Sequence, residues 1–150
     1  MKLLRYGPPG AEKPGLLAND GSIRCLSAIV RDVDGFALSD AALAMLRGVD
    51  PNSLPKVDAG VRLGPCVARP VNYVCVGLNY ADHAEEAGMP IPKEPIFFLK
   101  SLSAFCGPND DVKLPRGATK LDWECELGVV IGKLARYVPE HDAMRHVAGY

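Results

Sequence analysis

Residues 121–131 have the sequence LDWECELGVVI, and this stretch says most about the fold. Acidic and apolar residues alternate through its first part, and apolar residues fill its last part. Side chains two positions apart in a strand point to the same face of the sheet. The pattern therefore predicts a long strand over residues 121–132, with Asp122, Glu124 and Glu126 on one face and a buried end.

Carboxylates in line on such a strand lie roughly 7 Å apart at their Cα atoms, a spacing from which two of them can reach one cation. Desolvation and mutual repulsion would otherwise push a proton onto one of them. A hard cation with oxygen ligands, such as Mg²⁺, removes both costs. The same alternation also fits the solvated face of an edge strand, and spacing alone leaves both interpretations open.

A second group of candidate residues lies on a predicted helix from Asn79 to Ala87, for which Asn79 or Asp82 would be the N-cap. His83 and Glu86 are three residues apart and so are neighbours on one helix face. A carboxylate that holds an imidazole suits a general base that takes a proton from water. A surface helix with an incidental histidine is the alternative.

A weaker candidate, Lys100, ends the predicted strand Ile96–Lys100. Its ammonium group could pair with a substrate carboxylate, although a lysine at a strand end more often points into solvent.

The remainder of the sequence predicts two consecutive domains. Residues 1–68 form a small α+β accessory domain, and residues 69–150 belong to a second domain that carries the candidate site. The predicted elements are strands at Lys2–Tyr6, Lys13–Leu17 and Ile23–Leu26, a helix at Ser39–Arg47 capped by Ser39, a buried strand at Val71–Gly77, and a helix from about Pro139 to Ala148.

Composition excludes several classes of protein. Seventeen basic and eighteen acidic residues give a net charge of −1, which provides no basic surface for nucleic acid or an anionic membrane. No apolar run approaches the roughly 18–20 residues that span a bilayer, and the first residues lack the pattern of a signal peptide. We therefore expect a cytoplasmic protein with no nucleic-acid or membrane partner. The 5 cysteines are widely spaced, which argues against a zinc site or disulfides and predicts that most are small buried residues.

The sequence resembles the fumarylacetoacetate hydrolase family in several blocks that occur in the same order. These blocks are Cys75–His83, Pro95–Lys100, Glu124–Gly132 and Val147–Tyr150, and residues 2–7 resemble the N-terminal segment of the two-part bacterial members. The resemblance implies a mixed α/β, mainly β fold: a fumarylacetoacetate-hydrolase-like mixed β-sandwich roll preceded by a small α+β N-terminal domain.

The resemblance also implies a site. Glu124 and Glu126 would hold Mg²⁺ or Mn²⁺, and His83, held by Glu86, would activate the attacking water. The implied activity is hydrolysis of a C–C bond in a small 2,4-dioxo acid of the acylpyruvate or diketo sugar acid type, by a protein that is expected to be a homodimer. A lyase or decarboxylase on the same scaffold, of the ureidoglycolate lyase or oxaloacetate decarboxylase type, is the first alternative.

Two departures from the family pattern limit these expectations. Many acylpyruvate-cleaving relatives have arginine where this sequence has Leu78, so that substrate class does not follow automatically. The third metal ligand and a substrate-facing lysine would lie beyond Tyr150. The chain is therefore expected to be part of a longer protein, and an inactive fragment is the second alternative.

Overall fold

The computed structural model describes all residues from Met1 to Tyr150. It contains two compact units: residues 1–68 together with 107–150 form the first, and residues 69–106 form the second. The boundary between the units falls after Ala68, and the chain returns to the first unit at Gly107. The two consecutive domains themselves stay a prediction.

The first unit begins with an antiparallel sheet of three strands: β1 (Lys2–Tyr6), β2 (Lys13–Leu17) and β3 (Ile23–Cys25), in that order across the sheet. The carboxylate of Asp20 accepts a hydrogen bond from the Ser22 backbone N–H at 2.9 Å and shapes the turn between β2 and β3. The predicted strands at Lys13–Leu17 and Ile23–Leu26 are both present, and the second ends one residue earlier than predicted.

Helix α1 (Asp40–Arg47) begins at the predicted cap, where the Ser39 hydroxyl oxygen accepts a hydrogen bond from the Ala42 N–H at 3.3 Å. Leu43 and Leu46 face inward from this helix and are buried. A short 3₁₀ turn, Pro51–Ser53, follows. The core of this part of the chain consists of Leu16, Leu26, Val30, Ala37, Leu46 and Leu54.

The second unit consists of an antiparallel strand pair and a short helix. Strand β4 (Val74–Gly77) pairs with β5 (Ile96–Leu99), helix α2 (Ala81–Glu86) lies between them in sequence, and a 3₁₀ turn spans Leu102–Ala104. Val74 is exposed, so the prediction of a buried strand from Val71 was wrong about both its start and its burial. Apolar strand residues become buried only when a second layer covers them.

The C-terminal part of the first unit contains β6 (Val130–Ile131), which pairs antiparallel with β7 (Val147–Gly149), and a 3₁₀ helix, Glu140–His146. The predicted helix from about Pro139 to Ala148 was wrong in type and in length. Its turns have i+3 hydrogen bonds, as between the Asp142 N–H and the Pro139 carbonyl at 2.9 Å, and its last residues enter β7.

Two sequence expectations concern exposure. The cysteines are all free, but Cys66, Cys106 and Cys125 are exposed, so the prediction that most are buried was wrong. No helix in the 150 residues is both long and apolar enough to cross a bilayer.

Candidate active site

Helix α2 presents the predicted histidine and glutamate. The helix is shorter than predicted, and its N-cap is Tyr80, which makes no side-chain cap hydrogen bond, so the expectation of Asn79 or Asp82 as the cap was wrong. Asp82 lies in the first turn, and its carboxylate accepts a hydrogen bond from the His83 backbone N–H at 2.9 Å. A carboxylate at this end of a helix is stabilised by the helix dipole.

The chain enters and leaves α2 through left-handed residues. Leu78, directly after β4, has φ of 49°, a conformation that costs a non-glycine residue about 1–2 kcal/mol. Gly88, after the helix, has φ of 65° and donates its N–H to the Glu85 carbonyl at 3.0 Å. Strained backbone of this kind clusters at functional sites, and here it turns the chain sharply from a strand into the helix that carries His83.

His83 and Glu86 are both exposed, while Ala84 between them is buried and anchors the helix. Their spacing places both side chains on neighbouring positions of the helix surface. No hydrogen bond joins the two side chains in this structure. The imidazole is open to solvent, where it could meet a water molecule. Its orientation by Glu86, which the resemblance implies, is not present in this structure.

Lys100 follows β5, and its backbone N–H donates to the Tyr73 carbonyl at 3.1 Å, which continues the ladder one residue past the strand. Its side chain is half-buried. The nearby Tyr73 and Phe105 rings meet edge to face with centroids 5.6 Å apart. Strand β5 ends at Leu99, one residue before the predicted end, although the backbone N–H of Lys100 still bonds across to Tyr73.

Glu124 and Glu126 lie in an irregular segment, and both are exposed. The predicted strand over 121–132 was wrong for most of its length, because only Val130 and Ile131 pair with another strand. A strand is stabilised by its cross-strand partners, and none of the seven strands pairs with residues 121–129. The alternation in sequence is therefore not expressed as a shared face in this structure.

Glu124 and Glu126 are the residues predicted to hold a metal ion. Glu124 and Glu126 offer carboxylate oxygens, the donors that Mg²⁺ and Mn²⁺ favour. The 150 residues contain no group of three histidine, cysteine, aspartate or glutamate side chains gathered closely enough to hold a metal ion. The donor chemistry fits such an ion, whereas the number of donors brought together does not complete its coordination.

The structure also shows a charged network that the sequence patterns did not reveal. Arg5 is buried and binds Asp32 through two hydrogen bonds of 2.7 and 3.0 Å. Arg62 binds Asp110 in the same bidentate way and reaches Glu12 at 3.1 Å. Glu12 also lies 3.4 Å from Arg5, so the two pairs are joined. The network holds the turn at Asp110, which precedes Glu124 and Glu126 in the sequence.

The network changes the protonation of its acids. The hydrogen bonds from the Arg62 guanidinium, followed by the one from the Gly107 N–H, lower the pKa of Asp110 below its ordinary value. Burial alone would raise the pKa of Glu12, but hydrogen bonds from its own backbone and from Arg62, together with the charge of Arg5, outweigh burial and lower that pKa. Both carboxylates are thereby held in the charged form.

We expect the replacement Asp110→Asn to weaken the folded state at pH 7 and to flatten its loss of stability in acid. Folding lowers the pKa of the Asp110 carboxyl group below 3.8, its value in the unfolded chain. The group therefore stabilises the protein at pH values above 3.8, and this contribution disappears as the pH falls through the lower pKa of the folded state. Urea unfolding of wild type and variant at pH 7, 5 and 3 measures the difference.

The matched control for that measurement is Asp111→Asn, which removes the same charge from the exposed neighbouring residue. It should follow the wild-type pH profile. Equal acid sensitivity of the Asp110→Asn variant and wild type would show that the network does not contribute to stability.

Comparison with known proteins identifies the family. A family model described as "Fumarylacetoacetate (FAA) hydrolase C-terminal" matches residues 72–150. The match covers more than half of the chain, and the chain therefore belongs to the fumarylacetoacetate hydrolase family. It includes every candidate site residue named above.

Relatives of known sequence and structure agree with this assignment. Proteins named "Putative hydrolase" from Burkholderia multivorans and Burkholderia ambifaria are each 59% identical over all 150 residues, which amount to 53% of either relative. A fumarylacetoacetate hydrolase from Exiguobacterium antarcticum matches with a TM-score of 0.73 at 29% identity, over 98% of this chain and 52% of that one. A "putative HpcE protein" from Mycobacterium smegmatis gives a TM-score of 0.77 at 30% identity over the same shares.

These likenesses confirm the mixed α/β, mainly β class. The chain spans about half the length of the curated relatives it matches.

Proposed function

We propose that this chain contributes to a divalent-metal-dependent hydrolase that cleaves a C–C bond in a small 2,4-dioxo acid, of the acylpyruvate or diketo sugar acid type. One observation carries the proposal: the family match over residues 72–150 takes in the helix with His83 and Glu86, as well as Lys100, Glu124 and Glu126. Side chains suited to a base, an anion partner and a cation site therefore all occur within the region of family likeness.

Each side chain has a distinct part in this proposal. His83 would accept a proton from water at an imidazole nitrogen, which lets the oxygen attack the carbonyl carbon. Glu86 would orient that imidazole as a positioning residue. Lys100 would pair with the substrate carboxylate, and Glu124 and Glu126 would hold Mg²⁺ or Mn²⁺.

The reaction balances without a further reactant. Water adds to one carbonyl carbon, the neighbouring C–C bond breaks, and its electron pair passes to the 2-oxo-acid half as an enolate. That enolate takes a proton, so the products are a carboxylic acid and a 2-oxo acid. The bound cation would supply Lewis-acid stabilisation of the developing negative charge.

Turnover of a panel of acylpyruvates and diketo acids with Mg²⁺, before and after an excess of chelator, tests the proposal. We expect 2-oxo acid release that stops in chelator and returns when Mg²⁺ is restored. Turnover that persists in chelator would contradict the metal dependence.

An incomplete site is the second candidate, and two observations favour it: no three ligand-type side chains gather, and the relatives are about twice as long. Assaying the Burkholderia multivorans relative in parallel distinguishes the two. Turnover by that relative with none by the 150-residue chain would support an incomplete site, and turnover by both would exclude it.

A further inference from the structure

A cavity of about 290 Å³ opens on the surface of the first unit, where the end of strand β2 lies beside the end of helix α1. All of its lining residues come from the first 51 positions of the chain, and the family match begins only at residue 72. The cavity is therefore built from residues other than those of the candidate active site.

The floor of the cavity belongs to the hydrophobic core. Leu16 on β2 and Leu46 on α1 line it, are only 5% and 2% exposed, and are members of the same core cluster. Ala18, just after β2, contributes only a methyl group to the wall and so leaves space that a larger side chain would fill. The floor is thus apolar and is held in place by core packing.

The mouth of the cavity is polar and carries one positive charge. Asn19 and Arg47 line the cavity and are both exposed, and no acidic side chain lines it. Neither of these two side chains forms a hydrogen bond or a salt bridge with another residue of the chain. The guanidinium group of Arg47 therefore keeps its fork of N–H donors, whose geometry matches a carboxylate.

The end of helix α1 does not oppose an anion at this mouth. Unpaired carbonyl groups at the end of a helix carry partial negative charge. Here the Gly48 N–H donates to the Met45 carbonyl at 3.0 Å, and the Val49 N–H donates to the Leu46 carbonyl at 3.3 Å. These bonds, together with the charge of Arg47 in the last turn, offset the negative end of the helix dipole.

Size and charge together define the class of ligand. Pockets for small molecules usually have volumes of about 300–1,000 Å³, so this cavity suits a ligand at the small end of that range. A cation would be repelled by Arg47, and a neutral apolar molecule would give the guanidinium no partner. A carboxylate with a short apolar tail matches both the mouth and the floor.

We propose that this cavity binds a small monocarboxylate with a short apolar tail. The carboxylate accepts hydrogen bonds from Arg47 and Asn19, and the tail covers Leu16 and Leu46. The proposal does not depend on the proposed function, because none of these residues takes part in it.

A titration of the isotopically labelled 150-residue chain with hexanoate, followed by nuclear magnetic resonance, tests the proposal. The amide signals of residues 16–19 and 46–50 should shift and reach saturation. Hexanol and hexylamine have similar tails but no carboxylate, and both should bind at least roughly tenfold more weakly, the loss expected when a charge-assisted hydrogen bond is removed.

Three variants locate the site. Arg47→Gln should raise the Kd of hexanoate roughly tenfold for the same reason. Arg31→Gln is the matched control, because Arg31 is exposed and does not line the cavity, and it should bind as wild type does. Ala18→Leu fills the cavity and should prevent binding although Arg47 is still present.

The absence of saturable shifts in wild type would overturn the proposal, as would an unchanged Kd for Arg47→Gln or equal affinity for hexanol. Shifts confined to the surroundings of His83 and Lys100 would also overturn it, because they would place the ligand at the candidate active site. None of these readouts requires turnover or a metal ion, so failure here is distinguishable from failure of the proposed function.

Discussion

Replacing His83 by alanine is expected to lower the turnover of a 2,4-dioxo acid by roughly 10²–10⁴-fold, the usual contribution of a general base. The imidazole lies exposed on α2, where no protein group blocks a water molecule from reaching it. Because the change removes a proton acceptor and leaves the helix backbone intact, the effect should fall on kcat. Steady-state kinetics near neutral pH measures kcat, with the 150-residue chain or, if only the longer protein turns over, with the corresponding variant of the Burkholderia multivorans relative.

His141→Ala is the control for that experiment, since His141 is an exposed histidine far from α2 in sequence. Its kcat should remain at the wild-type value. Undiminished turnover by His83→Ala would contradict the assigned role and favour a lyase or decarboxylase, whose chemistry requires the metal but no attacking water.

Replacing Leu26 by alanine is expected to lower the free energy of unfolding by about 2–5 kcal/mol. Leu26 is 0% exposed and belongs to the core formed by Leu16, Val30, Leu46 and Leu54. The loss of stability has two parts: the removed apolar atoms no longer contribute their burial, and the substitution leaves a cavity. Urea unfolding followed by circular dichroism gives the value.

Leu134→Ala provides the comparison, because Leu134 is 90% exposed and loses little contact when shortened. Its effect should stay within about 0.5 kcal/mol, as for most surface substitutions. Similar losses for the two variants would mean that residues 1–68 do not contain the core that holds the chain together.

Structural elements that depend only on interactions between residues close in sequence could be predicted. The Ser39 cap and the helix carrying His83 each depend on neighbours within a few residues, and each is present. The prediction failed for residues 121–129, since a strand exists only beside a partner and partners are distant in sequence. The prediction that Val74 is buried failed for a similar reason, because burial of a strand residue requires a covering layer.

The charged network was beyond sequence reasoning on related grounds. Arg62 and Asp110 are 48 residues apart, and Arg5 and Asp32 are 27 apart, so no periodic pattern connects them. The candidate site is intermediate between these cases. The placement of His83 and Glu86 on one helix follows from their spacing. Whether Glu124 and Glu126 come together with a further ligand depends on packing, which spacing does not determine.

Titration with Mn²⁺, followed by the electron paramagnetic resonance signal of the free ion, tests the assignment of Glu124 and Glu126 most directly. The 150-residue chain is titrated as wild type, Glu126→Gln and Asp122→Asn, each alone and with the unmatched part of the Burkholderia multivorans relative added. We predict that Glu126→Gln weakens binding at least roughly tenfold, since even changes beyond the ligands themselves cost about 10–100-fold. Asp122→Asn removes the same charge from the same segment and should leave the Kd unchanged. Equal affinity of Glu126→Gln and wild type, or no Mn²⁺ binding by wild type, would contradict the metal site.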